Sequence, residues 1–136
     1  MIEERRVGPH CIVREAEDVV TNYFGASPTG PEMLAIVEAH IEMMADRPYF
    51  LMLDFTHVES LPAPARRAVG ELGIKVNLRA IGMYGGSFHV RVVAKLINGA
   101  IALFRKNSLP QQFFDTREAA LAWFDQLRKR DPAGGA

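Results

Sequence analysis

The chain has 136 residues, 49% of them hydrophobic and 24% charged, which is typical of one globular domain and excludes a disordered, collagen-like or coiled-coil chain. Its 16 Lys and Arg residues balance 16 Asp and Glu residues, and this net charge of zero argues against a nucleic-acid binder. A lone cysteine, Cys11, and the lack of a signal peptide predict a cytoplasmic protein. No run approaches about 18 apolar residues, so we expect no transmembrane segment.

The first predicted elements are a β-hairpin and a helix. Two β-branched and aromatic runs, 11–14 and 19–24, flank an acidic turn and predict the strands of the hairpin. Thr29 and Glu32 have the spacing of a capping box, which predicts a helix that ends before Pro48. Its inward face is expected to hold the apolar residues at helical spacing, Leu34, Val37, Ile41 and Met44. A second face is wholly acidic, with Glu38, Glu42 and Asp46.

The rest of the chain alternates strands and helices. The segment 49–55 is apolar on both alternating faces up to Asp54, which predicts a central strand covered on both sides. Further elements are predicted as a short helix over 62–72, a strand over 79–84, an apolar helix over 88–104 and an edge strand over 111–114. A last helix, capped by Asp115 or Thr116, is predicted to end with the basic residues 128–130.

The predicted order is β-β-α-β-α-β-α-β-α. Since each strand-helix-strand crossover returns in the same direction, we expect a single layered α/β domain with a mixed, mostly parallel sheet and about four helices. This domain is placed at residues 10–130, between an N-terminal extension, 1–9, and a flexible tail, 131–136, that is rich in small residues.

Two local patterns, together with this order, resemble the STAS domain of the anti-sigma-factor antagonists. They are the central strand with its following loop, 50–58, and the segment 113–124, which joins a phenylalanine pair and an acidic turn to a helix with Glu118, Ala119 and Trp123. The chain is most similar to the bacterial STAS-like branch sometimes grouped with CRAL-TRIO lipid-transfer domains. The resemblance implies a STAS-like fold and a non-enzymatic, regulatory protein-interaction module.

The serine switch that this family uses is not expected here. Phosphorylatable STAS proteins carry an Asp-Ser-x-Gly motif at the start of the helix that follows the central strand. Pro62, Ala63 and Ala65 stand at the positions of the aspartate, the serine and the glycine, and a methyl group cannot accept a phosphoryl group. Ser60 is a possible substitute acceptor, although a loop or capping role is the simpler interpretation.

The loop after the central strand holds the residue types of a hydrolytic triad, Asp54, His57 and Ser60. No nucleophile elbow accompanies them, so turn hydrogen bonds are favoured over a hydrolase, which ranks third among the functions. The four histidines are scattered without a carboxylate at ligand spacing, and we interpret them as surface or half-buried residues. The sequence therefore predicts no enzyme, no metal site and no cofactor.

The turn Gly85-Gly86-Ser87 precedes the apolar helix 88–104. Free N–H groups at such a turn can bind an anion, with Arg79 and Arg91 as candidates to assist. The turn matches neither a P-loop nor a dinucleotide fingerprint, so a structural turn in which Ser87 caps the helix is favoured.

The helix 88–104 is more apolar than one sheet face requires, and we expect part of it to be covered by the same chain, by a homodimer or protein partner, or by a ligand. The first functional hypothesis is an interaction module, steered by the acids Glu38 and Glu42 and by the bases Arg91, Lys95 and Arg105. The alternative is a binder of a lipid or other amphiphilic anion under this helix, with the same bases on its head group.

The zero net charge conceals a separation along the chain. Residues 1–59 hold 11 acids and 4 bases, which gives −7, whereas residues 60–114 hold 1 acid and 8 bases, which gives +7. Such polarity makes self-association plausible and favours a binding module over an enzyme.

Overall fold

The computed structural model describes residues 3–72, 75–103 and 109–131, with the side chains of 71, 72 and 100–103 outside that description. These residues form one six-stranded sheet and four helices. The strands are β1 Glu3–Val7, β2 His10–Ala16, β3 Val19–Tyr23, β4 Tyr49–Asp54, β5 Leu78–Tyr84 and β6 Gln111–Phe114. The helices are α1 Gly30–Met44, α2 Ala63–Leu72, α3 Phe88–Leu103 and α4 Arg117–Arg130.

The six strands lie side by side in the order of the sequence. β1, β2 and β3 pair antiparallel, whereas β3 to β6 pair parallel, and each parallel connection contains a helix. The predicted α/β class and the mixed, mostly parallel sheet are therefore confirmed. β6 is the edge strand that the sequence predicted.

β1 is a strand that the predicted order lacks. It lies in the segment 1–9 and extends the sheet as its other edge. Its sequence, Glu-Glu-Arg-Arg-Val, shows no apolar alternation because none of its side chains is buried, and its charges discourage pairing of this edge with other chains. Arg5 binds Glu42 of α1 at 2.9 Å, which ties β1 to the helical layer.

The sheet has a core on each face, and β4 shows how the sequence builds both. Tyr49 and Leu53 belong to the core under α1, α2 and α3, whereas Phe50 and Met52 belong to the core under α4. All four side chains are buried, so the expectation of a central strand covered on both sides is confirmed.

The predicted helix starts are confirmed, and the predicted inward face of α1 is wrong at one residue, Leu34. The Thr29 hydroxyl accepts from the Glu32 N–H at 3.2 Å and the Glu32 carboxylate accepts from the Thr29 N–H at 2.9 Å, which completes the capping box. Of the four residues expected there, Val37 and Met44 are buried and Ile41 packs against the core, whereas Leu34 is exposed. Leu34 therefore lies at the margin of the buried face, which Met33 and Ile36 extend on the other side.

Candidate functional site

The outward face of α3 carries an apolar stripe. Phe88, Val92 and Leu96, here called the α3 stripe, have exposed fractions of 82%, 41% and 70%. Their spacing of four residues places them on one line about 12 Å long, while Val90 and Ala94 pack into the core from the opposite side. The excess apolar surface predicted for this helix is therefore partly uncovered within the described chain.

The predicted basic set is only partly available beside this stripe. Lys95 is exposed. Arg91 is half-buried, because its Nε donates to the Gly85 carbonyl at 3.3 Å and its guanidinium lies 5.3 Å from the centre of the Phe113 ring. Arg91 therefore turns toward β6, and Arg105 lies outside the described residues.

The turn before α3 has the structural features of a helix start. The Ser87 hydroxyl accepts from the Val90 N–H at 3.3 Å, as expected of a cap. Gly85 and Gly86 both have positive φ angles, 75° and 80°. A Cβ on Gly85 would lie 2.8 Å from the Thr56 nitrogen, so close approach of the neighbouring loop also requires glycine there.

The acidic face of α1 lies at the other edge of the helical layer from α3. Glu38 is exposed, and so is Glu42, which forms the ion pair with Arg5. α1 contacts α2, β1 and β2, whereas α3 contacts α2 and β6. The structure therefore keeps the predicted acidic and basic surfaces apart, on one face of the same molecule.

The loop after β4, which contains Asp54, His57 and Ser60, is held by hydrogen bonds within the loop and to its neighbours. One Asp54 oxygen accepts from the Thr56 N–H at 2.9 Å and from the Thr56 hydroxyl at 2.6 Å, and the other accepts from the Tyr84 hydroxyl at 3.1 Å. Burial, followed by the Asp54 charge, raises the pKa of Tyr84. The Ser60 N–H donates to the Ser27 hydroxyl, and the described part of the chain shows no hydrogen bond from the exposed His57 ring to Asp54 or Ser60.

A cavity of about 80 Å³ lies between the sheet and the helices α1, α2 and α3. Its walls are mostly apolar, with Ala94 and Ile97 of α3 among them. Its polar side chains come from two strands and two helices, and they are Asn22, His40, Tyr49 and Asn98. A cavity of this kind is uncommon in a close-packed core and is a candidate ligand site.

A buried hydrogen-bonded chain forms one wall of this cavity. The His40 Nε2–H donates to the Asn22 side-chain oxygen at 2.7 Å, and the Tyr49 hydroxyl donates to His40 Nδ1 at 2.9 Å. Burial lowers the pKa of His40 to about 4, so its ring is neutral at pH 7.

The sequence patterns did not predict this hydrogen-bonded set of Asn22, His40 and Tyr49. His40 was expected at the surface or half-buried, as was His10, and both are buried. The available signal was position, because His40 lies three residues after Val37 and four before Met44, on the face of α1 that packs inward. An asparagine inside the apolar run of β3 was a second signal.

The sheet order, the two-sided core and the helical layer define a STAS-like α/β domain with a SpoIIAA-like fold. A solved structure from Shewanella loihica PV-4, an uncharacterized protein of the DUF3478 family with a SpoIIAA-like fold, is similar with a TM-score of 0.55. The two are 15% identical, and the match covers 90% of this chain and 91% of that chain. No protein-family model and no curated protein matches the sequence.

The described residues offer neither a membrane-spanning helix nor a cluster of metal ligands. None of the helices there is long and apolar enough to cross a membrane. Over the same residues, no group of three or more histidine, cysteine or acidic side chains is placed to hold a metal ion.

Proposed function

We propose that this protein is a non-enzymatic, STAS-like regulatory module that binds a protein partner, including a second copy of itself, through the α3 stripe. The observation that carries the proposal is the exposure of Phe88, Val92 and Leu96 on one line of one helix. Single exposed apolar residues are ordinary, but a contiguous apolar patch is typical of an interaction surface. The SpoIIAA-like fold supports the regulatory part of the proposal.

The non-enzymatic part rests on how the loop side chains are used. Both carboxylate oxygens of Asp54 are engaged by Thr56 and Tyr84, so Asp54 serves the turn and the sheet edge rather than orienting a catalytic base. A triad requires that the third group orient the base and that the base reach the nucleophile.

The α3 stripe is small for a complete interface. A stable interface buries about 800 Å² on each partner, more than three side chains can supply. The stripe is therefore the apolar centre of a larger contact, and charged residues such as Lys95 belong to its rim. Truncation at the centre costs more binding energy than truncation at the rim.

The first experiment measures self-association by analytical ultracentrifugation over a wide concentration range. We predict that Phe88→Ser combined with Leu96→Ser weakens self-association at least about tenfold, since each large apolar side chain at an interface centre contributes on the order of 1–2 kcal/mol. The control is Leu34→Ser, which removes an exposed leucine from α1 and leaves α3 intact. Circular dichroism verifies that each variant is folded.

Two results would contradict this proposal. If the wild-type protein stays monomeric at every concentration, self-association is excluded. Equal association constants for the α3 variant and the Leu34→Ser control show that the contact lies elsewhere.

A second candidate function is binding of an amphiphile under α3. The specific observation in its favour is the cavity, which lies beneath this helix and has Ala94 and Ile97 in its wall. A pocket that is mostly apolar with a few polar groups is the usual form of a small-molecule site.

A further inference from the structure

Two asparagine side chains of the cavity have hydrogen-bonding capacity that no group within the described residues uses. Asn22 and Asn98 are 5% and 6% exposed, and both line the cavity. The Asn98 amide donates to the Met83 sulfur at 3.6 Å, but its carbonyl oxygen accepts no hydrogen bond in the described part of the chain. The Asn22 oxygen accepts from His40, and its amide has no acceptor among the same residues.

A polar group that loses contact with water and finds no partner costs about 1–3 kcal/mol, so a polar group on the wall of an apolar cavity is best satisfied by a molecule inside it. Here one open acceptor and one open donor belong to residues that line the same cavity. The strand register places Asn22 beside Leu53 and Leu53 beside Met83. Asn98 contacts the Met83 sulfur, so the two asparagines lie at the same level along the strands.

We infer that this cavity binds a small neutral molecule with an apolar body and a hydroxyl group, and that the hydroxyl donates to the Asn98 carbonyl. The inference rests on the second candidate function, ligand binding under α3. It replaces the amphiphile of that function with a small neutral molecule. The Asn22 amide is a second donor toward the bound molecule.

The size of the cavity limits the ligand. Since one water needs about 10–15 Å³ of such space, about 80 Å³ has room for about five to eight atoms of that size. A phenol-sized alcohol fits within this limit, and a complete lipid does not. Val69 of α2 and Ile97 of α3 are half-buried and line the cavity, which brings it close to the surface between these helices.

The charge of the lining also limits the ligand. The cavity wall has no Lys, Arg, Asp or Glu within the described residues, and its histidine is neutral. Arg91 turns toward Phe113, and Lys95 is exposed at the surface. A carboxylate or phosphate placed inside would be desolvated without a counter-charge, so the neutral form of a ligand is strongly favoured.

The test titrates the wild-type protein with phenol and with toluene, which differ by a hydroxyl in place of a methyl group. Methyl NMR signals report the site, with Met33 and Ile81 in the cavity wall and Met52 on the other face of the sheet as an internal control. We predict that phenol binds about five- to tenfold more tightly than toluene and shifts the first two signals but not the third.

Asn98→Leu is the matched variant, since it keeps the side-chain volume close and removes only the polar end. We expect it to abolish the preference for phenol and to leave toluene binding intact. Asn22 is less suitable for substitution because it also holds His40. Ala94→Leu, which fills the cavity from α3, should weaken both ligands.

Hexanoate separates this inference from the function on which it rests. If hexanoate binds at the same methyl groups more tightly than phenol, the neutral-ligand inference is wrong and ligand binding under α3 stands. Equal binding of phenol and toluene, or an unchanged preference in Asn98→Leu, also overturns the inference. If none of the three binds, both the inference and the second candidate function are wrong.

Discussion

His40 stays neutral between Asn22 and Tyr49 because burial lowers its pKa to about 4, from about 6.5 in an exposed histidine. The unfolded chain therefore binds a proton at His40 between pH 6.5 and 4 that the folded chain does not. The stability associated with the neutral ring is complete above pH 6.5 and is lost as the pH falls toward 4.

We predict that the free energy of unfolding falls by about 2 kcal/mol between pH 7 and pH 5 because of His40. Urea denaturation at a series of pH values measures this slope. His40→Gln should remove most of it, whereas His57→Gln, at an exposed position, should leave it unchanged. An equal slope in His40→Gln and wild type would contradict the prediction, as would NMR titration of the His40 ring near pH 6.5.

The sequence predicted this site only in part. Helical spacing was enough to place His40 on the inward side of α1, but its partners lie 18 residues before it and 9 after it. Such pairs form where three elements meet, and no local pattern encodes which polar side chains meet there. The Asp54 loop is the opposite case, since its bonds to Thr56 are local turn bonds that its composition predicted.

Helix α4 is fixed at both ends to the β2–β3 hairpin. Near its start, Arg117 binds Glu15 at 2.6 Å, and near its end Arg128 binds Asp18 through two nitrogens at 2.8 Å. Burial works against the charge of Glu15, but hydrogen bonds from Tyr23, Thr21 and Arg117 outweigh it and lower its pKa. The Arg128 hydrogen bonds lower the pKa of Asp18.

A double-mutant cycle on Asp18 and Arg128 measures the energy of the second pair. We predict a coupling of about 1 kcal/mol, at the upper end for ion pairs near a surface, because the geometry is bidentate and both side chains are about two-thirds buried. The control is the more exposed pair Arg5 and Glu42, whose coupling should be smaller. The expectation is wrong if the two couplings are equal, or if the Asp18 coupling persists unchanged at a pH low enough to protonate that carboxylate.

Sequence patterns predicted the strands and helices that are determined by interactions between residues close in sequence. Caps, prolines and alternation located the strands and helices from β2 onward, because these signals act within a few residues. β1 lacks such a signal, and it is a strand only because β2 offers a free edge. The orientation of α1 was likewise decided by packing against the sheet, which is why Leu34 faces solvent.

The opposite charges of the two chain segments become a charge separation across the folded domain. The negative segment, 1–59, contains β1 to β4 and α1, and the positive segment, 60–114, contains α2, β5, α3 and β6. Since α1 lies at one edge of the helical layer and the exposed bases Arg66, Arg67 and Lys95 lie on α2 and α3, opposite charges can draw two copies together before they make contact through the α3 stripe. Long-range attraction of this kind acts mainly on the rate of encounter.

We therefore predict that the association rate constant of two copies falls steeply as the salt concentration rises from about 0.01 M to about 1 M, because the Debye length falls from about 30 Å to about 3 Å. The dissociation rate constant should change little. Stopped-flow fluorescence of labelled protein measures both rates. Glu38→Lys with Asp46→Lys, at exposed positions of α1 and of the turn that follows it, should slow association at low salt and flatten its salt dependence. The control, Glu17→Lys with Glu118→Lys, makes the same change of charge away from α1 and should have a smaller effect. Equal effects of the two variants would mean that net charge alone, and not its separation across the helical layer, governs the encounter.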